Sequence, residues 1–291
     1  MSEMEKVAII GADGQLGSDL RLAFQGRAET VGLAHSDIEI TRKDSVDSCL
    51  NGHRPGIVVN TAACHDLNRC EGDPVLSFAI NAAGARNLAL WCRDNGALLV
   101  HVSTDYVFDG RRDTPYVEGD CPAPLNQYGI TKLAGELSIA SVTDRHAIVR
   151  TGGLYGTHPC RGKPARNFVE MFLGLTKGKE VQDFGGDEVN TPTFTEPLAA
   201  QLVALAGSGA TGLFHATCEG ACSWFEFGEE ILRQTGSPTR LVHRPPAPPN
   251  PAAVKRPAYT VLENRRLKEL GLDRMPDWRE ALRGYLAKRS P

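Results

Sequence analysis

The 291-residue sequence predicts an α/β fold: a Rossmann-like doubly wound parallel sheet followed by a smaller, mixed α/β C-terminal portion. Three observations predict it. Short β-branched apolar runs recur along the first half, helix-length segments separate them, and a glycine-rich turn follows the first run.

Val7-Ala8-Ile9-Ile10 is wholly apolar, as a strand buried on both faces of a parallel sheet must be. Gly11-Ala12-Asp13-Gly14-Gln15-Leu16-Gly17 makes the turn, and Ser18 to Phe24 reads as the helix after it. Further strands are expected at Thr30–Leu33, Gly56–Asn60, Ala97–Val102 and His146–Arg150, with helices over Pro74–Asn95 and Leu125–Ala140. Strands alternating with helices are βαβ units. After Arg150 the alternation weakens, with glycine- and proline-containing stretches from Gly152 to Pro164. The expected division is a dinucleotide-binding portion over 1–151, with return segments near 181–217, and a second portion over 152–291. The latter contains helices at Asn167–Lys177 and Ser223–Gln234 and a strand at Gly212–Ala216. Arg244 to Pro251 is too rich in proline for helix or central strand and reads as an extended connector, or, if exposed, as a ligand for a proline-recognising partner. No internal repeat is evident.

Composition excludes several classes. A formal charge of -3 leaves no electrostatic footprint for nucleic acid or an anionic membrane, and no apolar run approaches spanning length. The run Met1 to Lys6 lacks the basic-then-apolar pattern of a secretory signal, so the expected compartment is the cytoplasm. Eight cysteines contain no Cys-x-x-Cys pair and no histidine at zinc spacing; Cys218 and Cys222 come nearest to a pattern. Solitary reduced thiols and no required metal are the expectation.

Gly11, Gly14 and Gly17 at a strand-to-helix turn let backbone N–H groups approach a pyrophosphate at a helix N-terminus. Asp13, Gln15 and Leu16 share that turn. At the end of the second strand stand Ala34-His35-Ser36 in place of an acid that would bind the adenosine ribose, which leans toward NADP(H) over NAD(H). His35 could neighbour a 2′-phosphate or be an exposed loop histidine. Asp37 comes later, and Glu39 and Ile40 are placed with the cofactor-binding residues. Ala62, Ala63, Cys64 and His65, closing the third strand, would let a dinucleotide pass over the sheet edge.

Tyr128 and Lys132 are one helical turn apart and share a face, so the ammonium can favour the ionised form of a phenol that otherwise titrates near ~10. Two common residues at that spacing are a weak signal alone.

Four motifs in order make it specific: the glycine turn, Val102-Ser103-Thr104-Asp105-Tyr106-Val107-Phe108-Asp109-Gly110, Pro124 to Glu136 around Asn126-Gln127-Tyr128-Gly129-Ile130-Thr131-Lys132, and Arg256-Pro257-Ala258-Tyr259-Thr260-Val261-Leu262. Together they resemble the dTDP-4-dehydrorhamnose reductase family, within the extended short-chain dehydrogenases, from Val7 to about Trp278. The resemblance implies a C-terminal portion that binds a nucleotide sugar and hydride transfer to a C4 keto group. It implies Thr104, Tyr128 and Lys132 as the catalytic set, with Tyr128 and Lys132 also contacting the cofactor. Thr104, Asp105, Asn167 and Arg256 would contact substrate, although capping and surface pairing serve Asn167 and Arg256 equally well.

Departures loosen the claim to rhamnose. Arg150-Thr151-Gly152-Gly153-Leu154-Tyr155 has Gly153 where the family often has tryptophan, and the residues between Asp187 and Pro192 differ. Some family members place a metal at a dimer interface, through glutamates not found here; a homodimer through the flanking helices stays open. Two other readings remain. One is an epimerase or dehydratase, which lacks its extra acid/base pair here. The other is a non-catalytic dinucleotide-binding subunit like the regulatory subunit of methionine adenosyltransferase.

Overall fold

The computed structural model describes residues 5–159, 167–245, 250 and 253–289. Residues 1–4, the 160–164 part of the glycine- and proline-containing stretch, and most of the proline connector, 246–249 and 251–252, lie outside the described residues.

The chain begins β1 (Val7–Ile10), α1 (Gln15–Phe24), β2 (Thr30–Leu33), α2 (Lys43–His53) and β3 (Ile57–Asn60). Next come α3 (Leu67–Gly72), α4 (Pro74–Phe78), a π-helical segment (Ala79–Gly84), α5 (Ala85–Asn95) and β4 (Leu98–Thr104). A 3₁₀ turn (Asp105–Val107), α6 (Gln127–Ala140) and β5 (His146–Thr151) follow. Beyond them lie β6 (Leu154–Tyr155), α7 (Phe168–Thr176), β7 (Val181–Phe184), β8 (Val189–Asn190), β9 (Thr193–Phe194) and α8 (Thr195–Ser208). The last elements are β10 (Gly212–His215), β11 (Cys222–Ser223), α9 (Trp224–Thr235), β12 (Arg240–His243), α10 (Arg265–Glu269) and α11 (Trp278–Lys288).

Six strands form one parallel sheet in the order β2-β1-β3-β4-β5-β10. Side-chain alternation along β1 explains the double winding. Val7 and Ile9 enter a core with Leu20 of α1 and Leu198 of α8, whereas Ala8 and Ile10 enter a second with Leu88 of α5 and Ile139 of α6. Both faces are therefore covered by helices, the condition for an all-parallel sheet. In the C-terminal half, small strand pairs form: β6 with β9, β7 with β12, and β8 antiparallel to β11. Phe168, Phe172, Trp224 and Phe227 stack around them, and Ser223 and Glu226 close α9 with a capping box.

Several boundaries shift from expectation, and at two helices the local reason is plain. The segment Pro74–Asn95 is interrupted by the π turn, which carries Asn81 inward to bond both Cys64 and Thr131. The helix expected from Leu125 starts at Gln127, because the Asn126 side chain caps it by accepting from the Gly129 N–H at 2.9 Å. Among the described residues, no helix is long and apolar enough to cross a membrane.

Candidate active site

In open α/β sheets ligands settle outside the carboxyl ends of the strands where the order reverses, here between β1 and β3. Gly11 follows β1 with φ +77°, and a Cβ on it would lie 2.8 Å from Thr61 Oγ1 beyond β3. α1 starts at Gln15 with no side-chain cap and no acid in its first turn, so its leading N–H groups and dipole are left for an anion. Ala62 and Ala63 present only methyl groups at the neighbouring edge. The chain's own residues thus fit a dinucleotide.

Each expected cofactor residue has a definite place. Leu16 is buried in the core, so only its backbone can serve. The Gln15 amide donates to the carbonyls of Gly156 and His158, at 3.3 and 3.2 Å. Asp13 and His65 are half-buried at the turn and after β3. The Cys64 backbone is held on both sides by Asn81. Glu39 accepts from the Thr41 N–H and hydroxyl, and Ile40 is buried in the core, where a Cβ on Gly84 would meet it at 2.8 Å. Ile40 is therefore a packing residue.

Gly17 gives a sharp test of the turn. A Cβ there would lie 2.1 Å from the Gly11 carbonyl oxygen and 2.8 Å from Ala12 Cα, so the helix could no longer rest on the turn. Gly17→Ala is expected to weaken dinucleotide affinity about tenfold or more in a fluorescence titration. A dissociation constant close to wild type would show that the turn yields without cost.

The catalytic candidates gather at the carboxyl end of β4. Thr104 Oγ1 accepts from the Tyr106 N–H at 3.1 Å, which starts the 3₁₀ turn, and donates to Asp105 Oδ1 at 3.0 Å. A Cβ on Gly129 would lie 2.2 Å from the Tyr106 carbonyl, so glycine lets α6 lie directly against that turn. Contact at this distance brings the Tyr128 hydroxyl beside Thr104. Tyr106 packs edge-on to Tyr128 with centroids 5.9 Å apart. Burial raises the Tyr128 pKa above the ordinary phenol value; the Thr104 bond opposes the rise, and Asp105, Cys70 and Tyr106 add to it.

The Lys132 side chain, expected to favour the ionised form of this phenol, is engaged by β4 instead. Lys132 is 1% exposed and its Nζ donates to the Val102 carbonyl at 2.7 Å, with His101 Nε2 at 3.1 Å. Burial lowers the Lys132 pKa to about 8, against the pull of Glu136. Desolvation dominates at both groups, and it favours the protonated phenol at Tyr128.

Behind this pair lies a buried ionic brace. Glu136 accepts from Arg150 Nε at 3.0 Å, from Arg150 Nη2 at 2.7 Å and from Ser103 Oγ at 2.5 Å, tying α6, β5 and the catalytic strand together. The Arg150 guanidinium also lies 5.1 Å from the Phe108 ring centroid. Asn81 adds a second tie, donating to Thr131 Oγ1 of α6 at 2.9 Å while gripping Cys64.

Next to Thr104, burial pushes the Asp105 carboxyl up to about 6, opposed by hydrogen bonds from Thr260 and Thr104. Arg256 is exposed on the rim, close enough to Tyr106 to stabilise its phenolate electrostatically. Asn167 is elsewhere: it caps α7 through Oδ1, and its amide nitrogen donates to the Gly156 carbonyl and Tyr285 Oη. Its side chain is committed to the fold. Gly153 has φ +59°, and a Cβ there would lie 2.8 Å from Asn190 Oδ1 and 2.9 Å from the Thr191 carbonyl, so this backbone has no room for an indole.

The thiols are not all solitary: Cys64 and Cys70 sulfurs lie 3.6 Å apart, and burial pushes Cys70 up to about 12. Among the described residues no group of three or more His, Cys, Asp or Glu side chains is placed to hold a metal ion. Asn60, Asn81, His101, Glu136 and Thr260 escaped the sequence reading as site residues. Asn60 and His101 carried a signal, since each is a polar residue in an apolar strand and they are register partners.

Residues 4–290 match the family described as RmlD substrate binding domain. The chain is 37% identical over 276 residues to a dTDP-4-keto-6-deoxy-D-glucose reductase of Streptomyces niveus, covering 94% of each chain. It is 37% identical over 285 residues to a dTDP-4-dehydrorhamnose reductase of Streptomyces griseus, covering 94% of this chain and 90% of that one. Among solved structures, the dTDP-4-dehydrorhamnose reductase of Bacillus anthracis in complex with NADP superposes with a TM-score of 0.89 at 32% identity, covering 98% of this chain and 99% of that one.

Proposed function

The chain belongs to the dTDP-4-dehydrorhamnose reductase family of oxidoreductases, and on that footing we propose that it reduces the C4 keto group of a nucleotide-linked 6-deoxy-4-keto sugar, dTDP-4-dehydro-L-rhamnose first among them. The observation that carries the proposal is the half-buried Tyr128 phenol set beside Thr104 at the end of β4, with Tyr106 packed edge-on to its ring. Reduction of a ketone needs an acid beside the carbonyl oxygen at the start of the reaction.

A nicotinamide dinucleotide bound across the β1–β3 edge supplies the hydride. Thr104 orients the keto oxygen, and Tyr128 gives its proton to that oxygen as negative charge grows there. Lys132, whose ammonium titrates near neutrality, stands one turn along α6 to stabilise the phenolate left behind. Asp105 accepts from the Thr104 hydroxyl and faces the sugar side, and Arg256 at the rim suits a diphosphate. The absence of an acid at the end of β2 favours NADPH as the hydride source.

The likeness to a dTDP-4-keto-6-deoxy-D-glucose reductase, together with Gly153, supports a second sugar, the D-gluco 4-keto epimer. Both are tested at once by following nicotinamide absorbance with NADPH or NADH and each dTDP-linked keto sugar. Oxidation of NADPH with at least one sugar, and none without sugar, is the expected result. Dinucleotide binding with no turnover on any 4-keto sugar would sink the reductase reading.

A further inference from the structure

Asn60 closes the otherwise apolar β3 and stands opposite His101 in the middle of β4, each 1% exposed. The backbone orients Asn60. Its Oδ1 accepts from the Ala62 N–H at 3.0 Å, so its amide nitrogen faces His101 Nδ1, also at 3.0 Å. An amide nitrogen can only donate; Nδ1 therefore accepts, and the neutral imidazole carries its proton on Nε2. Burial, followed by the nearby Lys132 charge, lowers the His101 pKa well below its ordinary value and keeps the ring neutral. That Nε2–H points at Lys132 Nζ, 3.1 Å away. While Lys132 is an ammonium, two donors meet in a buried place. Among the described residues its one hydrogen-bond acceptor is then the Val102 carbonyl.

We propose that His101 is a positioning residue for Lys132: fixed by Asn60 with its proton on Nε2, it opposes the ammonium donor to donor, so Lys132 is held loosely on β4 and is released when a dinucleotide fills the site. The inference rests on the dinucleotide reading made above. Ala62, in the segment that would lie beside the dinucleotide, is joined through Asn60 and His101 to the lysine, so loop and lysine share one line of contacts. Of the other groups near Lys132, Glu136 lies on its own helix and is paired with Arg150 of β5; Asp105, Cys70 and Tyr106 gather instead at Tyr128.

The lock can be reversed by one side-chain atom. Asn60→Asp puts an oxygen in place of the amide nitrogen, which accepts from Nδ1–H and turns Nε2 into an acceptor for the ammonium. His101→Gln offers an amide oxygen to Lys132 without adding charge. In the full-length protein, ¹⁵N-histidine NMR is expected to show His101 protonated on Nε2 in the wild type and on Nδ1 in Asn60→Asp. Lysine-observed NMR titration is expected to move the Lys132 midpoint up by about one unit or more in both variants. NADPH affinity, read by fluorescence near neutral pH, should weaken about tenfold in Asn60→Asp because the lysine is retained. Wild-type His101 protonated on Nδ1 would overturn the lock, as would a Lys132 midpoint unmoved in folded variants. The NMR readings need no sugar and no turnover, so inactivity toward keto sugars would count against the functional reading alone. Failure of the wild type to bind NADPH would overturn the release step while the tautomer still decides the lock.

Discussion

Tyr128→Phe is expected to lower kcat for keto-sugar reduction by ~10²-fold or more while leaving folding and NADPH affinity near wild type. The substitution removes one oxygen and keeps the ring that packs edge-on against Tyr106. The deleted hydroxyl is the group set beside Thr104, and burial raises its pKa above the ordinary phenol value. With it gone, charge growing on the keto oxygen meets only the Thr104 hydroxyl, whose own proton is directed at Asp105. Single-turnover mixing with NADPH separates the chemical step from binding. Residual turnover within tenfold of wild type would mean that Thr104 or a water molecule is the acid, and the role given to Tyr128 would be wrong.

Arg150→Met is expected to destabilise the protein by roughly 3–5 kcal/mol, because it leaves the Glu136 carboxylate buried without its cation. Both partners are nearly inaccessible, so water cannot replace the guanidinium, and the Ser103 hydroxyl alone remains to satisfy the charge. Replacing both partners, as in Glu136→Leu with Arg150→Met, should recover much of that loss, since two desolvation penalties disappear together. Denaturant midpoints of the two singles and the double form the cycle that measures it. An Arg150→Met midpoint matching wild type would show that the brace contributes little to stability. Activity of the double variant reports something different, whether Ser103 and Thr104 keep their orientation without the brace.

Much of the architecture could be read along the chain because the central parallel strands are buried on both faces and so carry short apolar runs. Val7–Ile10 and residues 57–59 are examples, whereas the edge strand Thr30–Leu33 is only partly buried. The glycine turn was legible because close backbone approach admits no substitute at Gly11 and Gly17. What escaped depends on partners far apart in sequence. Lys132 and Tyr128 look like a coupled pair on a helical wheel, yet strand β4 takes the lysine through Val102 and His101. The resemblance implies Asn167 as a substrate contact, but Tyr285, 118 positions away, shares its amide. The π turn at Ala79–Gly84 has no signature in periodicity, since it is produced by Asn81 reaching Cys64 and Thr131.

The C-terminal segment that packs over Asp105 and the start of α6 has a consequence in time. Lys255 accepts from the Asn126 amide across 129 positions, Thr260 bonds Asp105, and the Val261 carbonyl accepts from the Tyr116 N–H. Gly110 is so close to Pro257 and Ala258 that a Cβ there would lie 2.6 Å from both. Thr104, Tyr128 and Lys132 leave the ribosome long before the residues that wall their pocket. A nascent chain therefore carries its reactive groups unframed through much of the remainder of its synthesis, and the site is assembled only as translation nears its end.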